Sequence, residues 1–359
     1  MKRILEILVA TSVVAALTVP ALASPHARTA QFIVLDAPGA GTTALRGTYA
    51  YAVNSSSVVT GFFTDTLNDS HGFTWADGTF TTFDIDRAQS ETAAYWLNGK
   101  GTSVGVYVDS NTGVQEGFLR TAAGAISTFD GAGGGSRRTI TNAINNKSVA
   151  VGDYFDNSRA LHAFLRAKDG TLTQFDAPDA GKGANQGTTA LDINSKGAVT
   201  GSYMDASDRA HGYVRGEEGS ITKFDAPSAN ATFPNCINTK GWITGGFGDP
   251  GGVNHGFVRK ANGKFIVFDA PHAAQTSQKG TYGSCINDRG EVTGYYTDIS
   301  GVFHGFLRSK NGAIEEFDAP NSGTTVGLGT FPAGINADGV IVGYYRDSNR
   351  GTHGFLRIP

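Results

Sequence analysis

Six histidines recur at one place in a repeated pattern: His71, His162, His211, His255, His304 and His353. Each stands six residues after an aspartate, namely Asp65, Asp156, Asp205, Asp249, Asp298 and Asp347. A second series of aspartates closes the next segment, at Asp84, Asp130, Asp176, Asp225, Asp269 and Asp318. One imidazole between two carboxylates has the composition of a metal corner. Asp298, His304 and Asp318, with their repeat equivalents, are therefore candidate metal ligands, and a divalent cation is the cofactor this reading leaves open. The same grouping also suits a repeated hydrogen-bond cluster, because buried polar groups find partners. Near-identical sites in every unit favour that structural role, since a catalytic site is normally single.

Departures from the pattern carry more information about function. Glu116 stands where the other copies have histidine and is expected to face Asp109, two carboxylates in place of an opposed pair. Without a proton or a cation between them, such a pair costs stability. Trp96 and Asp192 sit two residues before a recurring asparagine, where other copies carry Ala52, Ala143, Cys236, Cys285 and Gly334. The segment 131–138 is glycine-rich and ends in Arg137 and Arg138, with Arg87 and Glu91 in a neighbouring loop. Glu116, Asp109, Arg137, Arg138 and Asp192 would be the acid, base and anion-holding groups of an enzyme. Trp96, Arg137, Arg138 and Glu91 are the candidate ligand-binding residues.

Other chemistry is poorly represented. Gly133-Gly134-Gly135 lacks the Lys-Ser/Thr of a phosphate loop, and no helix pattern follows it. No Gly-x-Ser-x-Gly elbow in a strand–helix setting occurs, nor a His-Glu-x-x-His, and the aspartate loops lack EF-hand spacing. Cys236 and Cys285 occupy equivalent positions in adjacent units. An exported chain permits a disulfide, but the Cα limit of about 7 Å need not be met between neighbouring units. The reading leans towards two buried thiols.

The elements that position these residues follow from a repeat of about 47 residues. Asparagine recurs at Asn54, Asn98, Asn145, Asn194, Asn238, Asn287 and Asn336, with a glycine seven residues after each and a threonine six before. Each unit reads as four short strands. A runs from the threonine to the asparagine, and B from the glycine to the first aspartate. C is the His-Gly-Phe-Leu-Arg segment. D follows a hairpin such as Asn311-Gly312 and ends in Phe-Asp-Ala-Pro. Four strands at this period predict an all-β, seven-bladed β-propeller. Residues 31–37 form a lone D strand at one end, and the last unit lacks its D. Pairing 31–37 with 352–358 completes the last blade and removes an open edge.

Charge is close to balanced, 29 Lys plus Arg against 32 Asp plus Glu, which argues against a nucleic-acid partner. Lys2 and Arg3, the apolar run to Val19 and Ala21-Leu22-Ala23 read as a signal peptide, residues 1–23, with no later segment long enough to span a membrane. Residues 24–359 then form a single domain, secreted or periplasmic and monomeric. The phrases Gly-Ile-Asn, Val-Gly-Tyr-Tyr, His-Gly-Phe-Leu and Phe-Asp-Ala-Pro, with His162-Ala163-Phe164, resemble the bacterial "probable extracellular repeat, HAF family" over residues 31–359. The resemblance implies an exported repeat protein and no particular chemistry. Two functions are carried forward. One is a non-catalytic binding module for a glycan, peptide or extracellular protein on the loop face. The other is an extracellular lyase or hydrolase with its site at the channel mouth near blades 2–4.

Overall fold

The computed structural model describes residues 30–43, 45–131 and 135–359; the segment read as a signal peptide lies outside them. The described chain is all-β, with 28 strands and no helix. Pairing runs in antiparallel quartets. The first is Gly47–Val53 (A), Val59–Thr64 (B), Ser70–Ala76 (C) and Thr79–Phe83 (D). Later A strands are Ala88–Leu97, Arg138–Ile144, Gly187–Ile193, Ala231–Ile237, Gly280–Ile286 and Gly329–Ile335. The last quartet takes its fourth strand from the start of the described chain. Gln31–Leu35 pairs antiparallel with Thr352–Ile358, Gln31 opposite Ile358 and Leu35 opposite Gly354. Successive A strands touch one another, and the last touches the first, so the A strands are innermost.

Every recurring residue has a structural task. The asparagine that ends each A strand accepts N–H bonds from residues two and four further on, as Asn145 does from Lys147 and Val149. Its Nδ2 donates to the carbonyl of the next asparagine. These bonds run from Asn54 through Asn98, Asn145, Asn194, Asn238, Asn287 and Asn336 and back to Asn54, at 2.9–3.3 Å. The threonine, fully buried in each copy, accepts the N–H that follows the D-strand aspartate of the preceding quartet, as Thr188 does from Ala177 at 2.9 Å. The glycine of strand B cannot be replaced, because a Cβ at Gly61 would lie 2.0 Å from the Tyr49 carbonyl oxygen.

The core lies between quartets rather than within them. The aromatic residue of each C strand, Phe73, Phe118, Phe164, Tyr213, Phe257, Phe306 or Phe355, is fully buried. From Phe118 onward it meets the D-strand phenylalanine of the preceding quartet edge-on, as Phe118 meets Phe83 at 5.9 Å. A strand-C arginine stacks over the same phenylalanine, as Arg308 does over Phe268 at 4.9 Å. Each ring thus contributes apolar burial, a quadrupole contact and a cation–π contact at one seam.

Every A strand shifts register before its asparagine, for example between Ala50 and Ala52 and between Ala190 and Asp192. Such a bulge re-aims the side chain that follows it. That side chain is Ala52, Trp96, Ala143, Asp192, Cys236, Cys285 or Gly334. The bulge brings two of them into contact: Cys236 and Cys285 form a disulfide with Cα atoms 4.9 Å apart. The expectation of two buried thiols is thereby corrected. Adjacent A strands approach more closely at their ends than the spacing of two separate sheets suggests.

Candidate functional site

Two faces frame the molecule. The D-to-A loops and B-to-C turns share one end, joined by bonds such as Gly181 N–H to Met204 C=O and Gly323 N–H to Arg346 C=O. This is the loop face. The A-to-B turns and C-to-D hairpins form the opposite, turn face.

On the loop face each of the six recurring histidines lies between two carboxylates, on opposite sides of its ring. Nδ1 meets the D-strand aspartate at 2.8–3.0 Å, and Nε2 faces the B-strand aspartate at 3.3–3.7 Å. His304 bridges Asp318 and Asp298 in this way, and His353 bridges Asp347 and Asp36, the latter supplied by the strand at the start of the described chain. The bond to Asp318 raises the His304 pKa, as Asp36 raises that of His353, against the opposing effect of burial. Each B-strand aspartate is also occupied by its own turn: Asp65 accepts from the N–H groups of Leu67 and Asp69. Both ring nitrogens point at carboxylates, so Asp298, His304 and Asp318 do not converge on a shared point. Among the described residues no group of three or more His, Cys, Asp or Glu is arranged to hold a metal.

In the second quartet the expected confrontation of Glu116 with Asp109 is resolved by a cation from the chain itself. Arg87 Nη1 lies 3.3 Å from Asp109 Oδ2, and Arg87 Nη2 donates to Tyr107 Oη at 3.1 Å. The Tyr107 hydroxyl in turn donates to Glu116 Oε2 at 2.6 Å. Asp109 also accepts from the N–H groups of Asn111 and Thr112, and the first of these bonds is the main reason its pKa is lowered. The set is a hydrogen-bonded chain in which one guanidinium serves two carboxylates, Asp109 directly and Glu116 through the Tyr107 hydroxyl.

Arg138 opens the third A strand at the loop face. It stacks over Phe155 at 4.2 Å and pairs with Asp153 at 3.4 Å, while Asn142 Nδ2 donates to the other oxygen of Asp153 at 3.0 Å. Burial pushes Asp153 up to about 6, against the opposing pull of Arg138 and Asn142. Glu91 accepts from Gln115 Nε2 at 2.8 Å, and Gln115 lies directly opposite Arg138 in the sheet. Glu91 and Arg138 are thus brought to one place. Arg137 is exposed, and its N–H donates to Phe155 C=O. Residues 132–134 of the adjoining loop are outside the described part of the chain.

Trp96 and Asp192 lie at the other end of the A strands. Both line a cavity of about 240 Å³ on the turn face, with Ile144, Ile237, Ile286, Ile335 and the disulfide. Trp96 packs against three separate apolar clusters, one including Cys236 and Ile335, one Ala143 and Ile193, and one Ile144. Asp192 is 4% exposed and accepts from the N–H groups of Ile193 and Ile237, both at 2.8 Å; burial raises its pKa to about 7.

The candidates therefore occupy three places. Asp109 and Glu116 sit on the B and C strands of the second quartet. Arg137, Arg138 and Glu91 belong to the loop face near the axis. Trp96 and Asp192 belong to the turn face, about 16 Å along an A strand from Arg138 at ~3.3 Å per residue. Among the described residues the acid, base and anion-holding set is thus spread over these three places. Asp153 and Tyr107 escaped the sequence reading. Asp153 stands in a column otherwise filled by Phe62, Val106, Ser202, Gly246, Tyr295 and Tyr344, and a lone charge there was the available signal.

Neither a protein-family model nor a curated protein matches the chain. Among solved structures, Pyrococcus horikoshii acylaminoacyl peptidase in an orthorhombic crystal form aligns with TM-score 0.52 at 13% identity, covering 86% of this chain and 50% of that one. Its uncomplexed form gives 0.50 at 11% identity, covering 86% and 51%. The chain thus spans about half the length of the peptidase it matches. TolB from Acinetobacter baumannii aligns at 0.41 and 8% identity over 91% of this chain and 79% of that one. At these identities the likeness is one of fold alone: the chain is an all-β, propeller-like protein.

Proposed function

We propose that this chain is an exported, non-catalytic binding module: a seven-bladed propeller, one quartet per blade, of the bacterial extracellular repeat group it resembles. Its ligand is a glycan or an extracellular protein or peptide, held on the loop face. The blade count is supported by the circuit of asparagine bonds, which passes through seven residues and returns to Asn54. Residues 1–23 read as its signal peptide, and the Cys236–Cys285 disulfide suits an oxidising compartment.

The binding reading is carried by the apolar tips of the loop face. Leu45, Leu67, Ile299 and Val326 are 52%, 79%, 69% and 71% exposed, all on the loops of the sixth, last and first quartets. These quartets, with Tyr95 of the second, carry aromatic rings in contact, half-buried except for the buried Phe331. Tyr282 meets Tyr295 at 5.4 Å, Tyr295 meets Phe331 at 5.9 Å, Phe331 meets Tyr344 at 5.0 Å, Tyr344 meets Tyr49 at 5.1 Å, and Tyr51 meets Tyr95 at 5.7 Å. Rings with polar tips beside clustered aliphatic groups suit a partly apolar polymer surface. The separation of the acid, base and arginine candidates supports binding over catalysis.

The test is a glycan array and a pull-down from secreted and cell-wall material, using residues 24–359 and a Leu67→Ser/Ile299→Ser variant. Saturable capture by the parent, lost in a variant of unchanged melting temperature, supports the reading. Silence of the parent across all these sources counts against it.

A further inference from the structure

The turn-face cavity lies at the opposite end of the molecule from the proposed loop-face site, and its chemistry is different. Its lining joins Ile144, Ile237, Ile286, Ile335 and Trp96 to the recurring asparagines, whose amides are taken up by their own turns and by one another's carbonyls. Set into this mixed surface is the Asp192 carboxylate, nine-tenths and more buried. Each of its oxygens accepts one backbone N–H. Among the described residues no Lys, Arg or His lies within ion-pair distance of it. The cavity lining holds a second carboxylate, Asp288 at the exposed rim, and no cationic side chain. Equivalent positions in other quartets carry Ala52, Ala143 or Gly334, so the fold does not require an acid here.

A buried carboxylate without a counter-charge is unfavourable, and the rise of its pKa to about 7 reflects that. A cation entering the cavity would relieve it. The cavity's composition decides which kind. An inorganic ion needs several converging oxygen or nitrogen ligands; both Asp192 oxygens already accept backbone N–H groups, the asparagine oxygens of the lining accept from their own turns, and among the described residues no three His, Cys, Asp or Glu converge. At about 240 Å³ the space suits a small ligand group. An ammonium carrying short alkyl groups matches these groups: charge towards Asp192, alkyl groups towards the isoleucines, and the indole of Trp96 as a cation–π partner. We propose that the turn-face cavity binds a small organic cation, an alkylammonium or quaternary ammonium ion, held by Asp192 and Trp96.

The experiment is isothermal titration of residues 24–359 with choline and with its neutral isostere, 3,3-dimethylbutanol. One choline per chain is expected, with the alcohol weaker by roughly tenfold or more, equivalent to ~1.4 kcal/mol. Asp192→Asn should remove that preference. Should Asp192→Asn fail to fold, Trp96→Leu serves in its place and should weaken choline more than the alcohol. Equal affinity for the two ligands in the parent, no heat with choline at millimolar concentration, or an equal loss of both in Trp96→Leu overturns the proposal. Loop-face capture of polymers is read separately, so failure of either site is distinguishable from failure of the other.

Discussion

At position 116 the departure from the repeat changes the partner: Glu116 is held by the Tyr107 hydroxyl, and Arg87 bridges that hydroxyl and Asp109. Two carboxylates facing one another would make Glu116→Ala neutral or stabilising. The interposed Arg87 and Tyr107 reverse that sign. Removing Glu116 leaves the Tyr107 hydroxyl without its acceptor, so Glu116→Ala is expected to destabilise by about 1 kcal/mol, with or without chelator. His304→Ala leaves Asp298 and Asp318 without the ring that bridges them and should cost about 1–3 kcal/mol. Urea denaturation of both variants checks this. A stabilised Glu116→Ala protein would mean that Arg87 does not compensate the two acids in solution.

The element that matters most for integrity is the five-residue strand Gln31–Leu35. It covers the edge of Thr352–Ile358 from Gly354 to Ile358, and Asp36 beside it completes the His353 bridge. Truncating the chain to begin at residue 38 should expose an unpaired strand edge, remove the buried Leu35 and lower the melting temperature by roughly 10 °C or more. Differential scanning calorimetry of the truncated chain and of residues 24–359 decides it; coincident transitions would show that the last quartet is stable with three strands. The Cys236–Cys285 disulfide ties the fifth A strand to the sixth and leaves the closing contact untouched, so the truncation effect should persist in reductant.

Across the whole molecule, stability should fall as pH rises from about 5 to 8. His304 and His353 have raised pKa values, so the stability their aspartate bonds confer is fully present below about 6.5 and is lost as pH passes through the folded values. Asp153 and Asp192, raised to about 6 and about 7, hold a proton in the folded chain that the unfolded chain releases near 4, which gives the same sign. Asp65, Asp205 and Asp249 act oppositely. Backbone N–H bonds lower their pKa values, and their contribution is lost only as pH falls below about 4. Thermal melts should therefore peak near pH 4–5. A melting temperature that climbs steadily from pH 5 to 8 would contradict the burial of Asp153 and Asp192.

The repeat was legible in the sequence because each recurring residue satisfies a local rule that spacing alone exposes. The glycine of strand B is forced by a carbonyl oxygen 2.0 Å from where its Cβ would be, and the asparagine by the turn it caps. The His–Asp bridge was readable too, since hairpin pairing of strands C and D places His304 beside Asp318. What spacing could not supply was side-chain contact that depends on how neighbouring quartets pack. Arg87 reaching Asp109, Asp192 accepting from Ile237, and Trp96 packing against clusters from several quartets all depend on how adjacent quartets are turned against one another. The same holds for Cys236 and Cys285, whose 4.9 Å Cα separation follows from a bulge and from the convergence of A strands at the axis. Local hydrogen-bond geometry is written in residue type and spacing, whereas long-range juxtaposition is decided only when the quartets pack.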